Sequence, residues 1–301
     1  MRFLLDELPF FLELLVSGLL IGMMYALVAL GFVLIYKASQ AINFAQGEFV
    51  MFGGFVVAAS MRYHGLSLVL SLALGFGAMV VIGLLMERLV LRPLTGRGVI
   101  AIIMATIGLA SILKGLLLLI WGPLSVNIPL PIREEPVEIF TLLVKLVAVV
   151  GAIISLVFLA GFSFLFLRSR LGIALRAVAD NQTVAQLMGI DVRHYFALTW
   201  VTAGVVATIG GVMWGNMIGA DVHTALIGLK VFPVVILGGL TSVPGAVLGG
   251  LIVGAVENLA AGYIDPFVGG GTKDFVPYIL MILALMVRPY GFFGEQVIER
   301  V

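Results

Sequence analysis

Three acidic residues lie within or at the edge of long apolar stretches: Glu13, Glu48 and Glu257, with Asn43, Gln46 and Asn258 close to the last two. An ionisable group at membrane depth costs about 2.5–3.5 kcal/mol on insertion scales, so it must face protein or water and marks a candidate solute or proton path. Glu48 and Glu257 are the stronger candidates, because Glu13 stands near enough to the start of its run to be solvated at the interface. Asn258 continues the helical face of Ala246, Gly250 and Gly254, so an interhelical hydrogen bond and a solute contact both fit the Glu257–Asn258 pair. Lys114 and Lys145, on neighbouring stretches, can neutralise such carboxylates or snorkel.

Covalent and hydrolytic chemistry has no candidate. The sequence lacks G-x-x-x-x-G-K-[ST], H-E-x-x-H and G-x-S-x-G. Cysteine is absent, which rules out disulfides and thiol chemistry. His64, His194 and His223 all fall at expected span ends or in loops, where histidine is far more often a solvated polar group than a ligand or base. No catalytic residue, metal site or bound cofactor is therefore expected. The one sizeable polar segment, Arg168 to Arg193, is far shorter than the roughly 100 residues a nucleotide-hydrolysing domain needs.

The elements that must position these residues follow from composition. Hydrophobic residues make up 62% of the chain and charged residues 11%, and several apolar runs exceed the ~18 residues that mark a spanning helix. Continuous runs such as Leu14 to Ile35 and Val144 to Leu167 exclude a transmembrane barrel, whose strands alternate. The expected fold is all-α, a polytopic helix bundle forming one integral domain over residues 1–301, with about eight spans counting short or broken pieces. The spans are read as Pro9 to Tyr36, Phe44 to Met61, Ser67 to Met86, Val99 to Trp121, Phe140 to Leu167, Tyr195 to Ile218, two shorter pieces within Val231 to Ala261, and Phe275 to Val287. Pro233, Gly238, Gly239, Pro244 and Gly245 would break a single helix there, leaving either two pieces folded back on each other or a turn between two ordinary tilted spans. The first span is too long for a signal peptide and lacks a cleavage pattern, so it is expected to stay. Small residues at four-residue spacing (Ala203, Ala207, Gly211 and Gly215; Ala246, Gly250 and Gly254; Gly18 and Gly22) read as packing seams.

Orientation follows from the cations. With the N-terminus outside, the inner segments hold Lys37, Arg88, Arg92, Arg97, Arg168, Arg170, Arg176, Arg193, Arg288 and Arg300, ten of the 17 basic residues. That asymmetry places the polar segment and the C-terminus in the cytoplasm.

The polar segment carries helix punctuation. Leu171 to Ala179 reads as one short helix, and Asp180 or Asn181 can cap a second, Thr183 to Met188, which Gly189 terminates. Val184, Leu187, Met188 and Ile190 would form an apolar knob that is unfavourable in water unless it docks. A helix gripped by a cytoplasmic partner and an interfacial helix resting on lipid headgroups both fit this pattern.

Gly18 to Phe55, Leu171 to Val192 and Phe232 to Glu257 resemble the permease subunits of bacterial ABC importers for branched-chain amino acids. The N-F-A-Q-G-E run at Asn43 to Glu48 and the L-G-G-x-x-S-x-P-G-A-x-L-G-G run at Leu237 to Gly250 carry the likeness most specifically. The resemblance implies a multi-pass inner-membrane subunit that pairs with a second related permease, two cytoplasmic ATPase subunits binding ATP-Mg, and a periplasmic amino-acid-binding protein. It implies inward transport of leucine, isoleucine or valine. Urea, short amides or other amino acids are the alternatives within the same architecture, and a stand-alone secondary transporter or channel is the alternative outside it. By motif match, Asn43, Gln46, Glu48, Gly238, Gly239 and Pro244 are candidate path residues, joined by Glu257 and Asn258. Arg176, Asp180, Ala185, Leu187, Met188, Gly189 and Ile190 are the candidate contacts to the ATPase.

Overall fold

The computed structural model describes residues 2–94, 98–133, 135–139 and 142–294. Arg97, Phe140 and Arg300, used in the sequence reading, lie outside the described residues. The chain is helical almost throughout: α1 Arg2–Ser39, α2 Gln46–His64, α3 Leu68–Leu85, α4 Arg92–Leu94, α5 Val99–Trp121, α6 Leu146–Arg168, α7 Arg170–Asp180, α8 Gln182–Leu187, α9 Val192–Ile218, α10 Leu226–Gly238, α11 Val243–Val268 and α12 Thr272–Val287. Among the described residues six helical stretches are long and apolar enough to cross a membrane: Leu8–Ser39, Leu68–Leu94, Val99–Trp121, Leu146–Arg168, Val192–Ile218 and Val243–Val268.

Three boundaries differ from the sequence reading. The span expected from Phe140 begins instead at Leu146, because Pro136–Ile139 (β1) and Leu142–Lys145 (β2) pair antiparallel with Val137 opposite Val144. The sequence does not announce such a strand pair, since two four-residue strands beside a long apolar helix are too short to show a clear period-2 alternation. The second piece of Val231 to Ala261 is not short: α11 has 26 residues. Pro244 opens α11 rather than breaking it, because the first helical turn has no use for the N–H that proline lacks, and Ser242 Oγ caps it by accepting from Gly245 N. Beyond Leu85, α3 continues through a π-helical turn, Met86–Leu91, into α4. There buried Glu87 meets Arg92 five residues on in a two-pronged ion pair at 3.2 and 3.0 Å.

The contacts group into two units. One comprises Met1–Ala29, Pro131–Phe158 and Lys230–Val301, the other Leu30–Leu130 and Leu159–Leu229. In the first, Gly18 of α1 faces the Gly254 carbonyl and Gly22 the Gly250 carbonyl, so the two small-residue runs found in the sequence pack on each other with no side chain between. Also in this unit, α10 and α11 run antiparallel, Gly238 against Gly245 and Val234 against Gly249.

In the second unit α3 lies antiparallel to α9, with Gly75 against Thr208, Met79 against Gly204 and Gly83 against Val201. Here α2 crosses α9 where Gly54 meets Gly211 backbone to backbone, while Trp200, fully buried, packs edge-on to Phe49 at 5.9 Å.

Candidate functional site

Asn43 lies in the non-helical entry to α2 and Gln46 is its first helical residue. After α1 ends, Gln40 takes φ +54 and turns the chain. Asn43 Oδ1 accepts from Ala45 N at 3.0 Å and its amide donates to Gln46 Oε1 at 3.3 Å, an arrangement asparagine's short side chain favours at helix starts. Phe44 N donates to Thr106 Oγ1 at 3.1 Å, which ties this entry to α5. Both amide side chains are fully buried, and Gln46 Nε2, resting on the Gly31 backbone, has no hydrogen-bond partner among the described residues. Glu48 stands half-buried in the first turn of α2, within electrostatic reach of Lys114 on α5.

In the other unit Glu257, 5% exposed, accepts a hydrogen bond from Tyr25 Oη at 3.3 Å. Its ionic partner is Lys230, 3.6 Å away on α10, and Lys230 also holds the exposed Asp274 at 2.9 Å. Glu257 Oε2 has no hydrogen-bond partner among the described residues. Asn258, buried beside it, packs on Gly18. The interhelical hydrogen bond weighed for Glu257 therefore exists, made by a tyrosine on α1.

Gly238 ends α10, Gly239 lies in the α10–α11 turn, and Pro244 stands in the first turn of α11. Gly239 has φ +102, a backbone open only to glycine at low cost. Phe292 N and Phe293 N donate to the carbonyls of Leu237 and Gly238, so the segment after α12 caps the end of α10.

The polar segment is two short helices, α7 and α8, with defined ends, leading into α9. Ser169 Oγ caps α7 by accepting from Gly172 N, Asn181 Oδ1 caps α8 by accepting from Val184 N, Gly189 stops α8 at φ +82, and Asp191 Oδ1 caps α9. Ala185, only 2% exposed, joins Ala38, Val178, Val192 and Phe196 in a small core, against which Ile190 packs. Gln182 Nε2 donates to the Ala38 carbonyl at 3.2 Å. Ala185 and Ile190 thus hold the segment to the end of α1, and the exposed apolar tip is Val184, Leu187 and Met188, the last two 82% and 78% exposed. Asp180 is exposed, whereas Arg176 turns back over the Phe166 ring.

Sequence reasoning missed Tyr25, Thr106, the role of Lys230 and the Glu87–Arg92 pair. Only Lys230 left a signal, a lone cation in an apolar run.

The fold is that of a polytopic helical membrane protein that buries a few amides and carboxylates and carries an apolar-tipped polar segment. The chain belongs to the family "Branched-chain amino acid transport system / permease component", whose model matches residues 14–285. It is 31% identical over 310 residues to the high-affinity branched-chain amino acid transport system permease protein LivH of Escherichia coli K12, covering 98% of this chain and 99% of that one. Its identity to BraD of Pseudomonas aeruginosa, of the same description, is 31% over 311 residues, covering 99% and 100%. A chain of PsaBC from Streptococcus pneumoniae in complex with Fab shares the fold at TM-score 0.50 and 11% identity, covering 92% of each.

Proposed function

We propose that this chain moves branched-chain amino acids inward across the bacterial cytoplasmic membrane, as the permease of an importer whose ATP is bound and hydrolysed by separate subunits. The observation that carries the proposal is the tip of Val184, Leu187 and Met188: an exposed apolar surface at the end of a capped segment, costly in water unless a partner covers it. ATP-driven closure of two cytoplasmic ATPase subunits would push on this tip, tilt the helices, and open the path to a periplasmic binding protein. A second related permease chain completes the path. Asp180 and Gly189 shape the docking edge, while Arg176, Ala185 and Ile190 keep it in place. Asn43, Gln46 and Glu48 are the candidate path residues of the second unit; Glu257, Asn258, Gly238, Gly239 and Pro244 are those of the first, each taken by itself. Weak contacts suffice there, because a solute must be able to leave.

The test is reconstitution in proteoliposomes. Leucine uptake should require ATP, both ATPase subunits, the second permease and the binding protein. Uptake by this chain alone under a proton or sodium gradient would refute the proposal.

A further inference from the structure

An apolar groove of about 170 Å³ opens in the second unit under α7, walled by Leu34, Phe162, Phe166, Leu175 and Leu198, with Ser169 at its rim. From Ser169 to Phe162 it descends one side of α6 for seven residues, on the order of 10 Å at 1.5 Å per residue. Cations stand beside it. Lys37 Nζ lies 4.9 Å and the Arg176 guanidinium 5.6 Å from the ring centre of Phe166, a residue that lines the groove, so two positive charges lie next to one of its walls. Arg168 and Arg170, both exposed, flank Ser169. Leu171 and Ile173 of α7 are exposed as well, so α7 presents apolar and basic groups together, as a helix lying in the headgroup layer does.

We propose that this groove holds one acyl chain of an anionic phospholipid of the inner leaflet, with the phosphate among Lys37, Arg168, Arg170 and Arg176. The apolar depth selects a hydrocarbon chain and the cations next to Phe166 and Ser169 select negative charge; a zwitterionic lipid satisfies only the first. Because α7 leads directly into α8, the lipid would brace the segment that bears the exposed tip. The lipid site itself does not depend on the transport proposal.

Native mass spectrometry of the full chain, released from detergent after incubation with equal phosphatidylglycerol and phosphatidylcholine, tests the site. Phosphatidylglycerol should be retained preferentially. Removing surface cations should weaken it roughly fivefold per charge, so Arg168→Gln with Arg170→Gln should lower retention more than tenfold while size-exclusion and helical content stay unchanged. Leu198→Trp, which fills the groove, should lower retention of both lipids. Equal retention of the two lipids by the wild-type chain, or unchanged phosphatidylglycerol in the arginine variant, would overturn the proposal. So would a Leu198→Trp chain that keeps its lipid but no longer assembles with a second permease, since the groove would then seat protein.

Discussion

Glu257 keeps a carboxylate midway along a spanning helix because Lys230 and Tyr25 reach it from two other helices, and Lys230 hands part of its charge to exposed Asp274. Removing one member of a buried pair costs more than removing both, since the survivor is left charged and unmatched. Lys230→Met should therefore destabilise the chain by about 3 kcal/mol and Glu257→Gln by clearly less, with the double variant recovering part of the loss. Thermal unfolding of the three variants in detergent checks the order; equal losses for both single variants would remove the ion pair from the account. Gly189 belongs to the same scale. A Cβ there meets open space, so any penalty comes from φ +82 alone. Gly189→Val should cost about 1–2 kcal/mol and reduce ATP-dependent uptake, whereas Gly189→Asn, which tolerates that conformation, should retain most of it. Glu48→Gln keeps shape and loses charge; uptake should fall while assembly with partners, read by co-purification, stays intact.

Helix packing rests on the absence of side chains. Where Gly22 faces the Gly250 carbonyl there is no room for even one methyl group, because a Cβ would lie inside the contact distance of backbone that cannot swing aside. Gly22→Leu should push α1 from α11 and cost about 1–3 kcal/mol or more, whereas Gly77→Ala, a change into open space on α3, should be close to neutral. The fraction of folded chain against denaturant concentration distinguishes these outcomes. The four-residue spacing of Gly18 and Gly22 and of Ala246, Gly250 and Gly254 already announced the seams, since close approach in lipid needs small residues at that period. The spacing carried no label for the partner, because every seam of this kind reads the same in one dimension. The caps were legible residue by residue: Asn181 and Gly189 act where their side-chain and backbone chemistry predicts. The hairpin at 136–145 was not, because a strand pair is defined by a partner and an apolar run names none.

For the molecule as a whole, the distribution of cations predicts the polar segment inside, and the absence of cysteine makes that testable without a background. A single Met188→Cys should react with a membrane-impermeant maleimide in inside-out vesicles and not in intact cells, while a single Ser125→Cys should do the reverse. The opposite pattern would place the exposed tip outside and end the proposal that cytoplasmic ATPases grip it. The unmodified chain purified alone should bind neither ATP nor leucine by calorimetry; a micromolar affinity for either would contradict the proposed division of labour.

Composition and periodicity alone determined that this is a polytopic helical membrane protein, where its polar segment is punctuated, and which residues are exceptions to an apolar rule. Those are local properties: a run of apolar residues, a cap or a cation count needs no knowledge of what lies opposite. Only the tertiary structure decided that Glu257 answers to Lys230 and Tyr25, that Ala185 faces inward while Leu187 and Met188 face out, and that Pro244 starts a helix. Each depends on which distant backbone comes within reach, and in lipid, where hydrophobicity does little to sort one helix face from another, that choice is made by shape and hydrogen bonding between segments far apart in the chain.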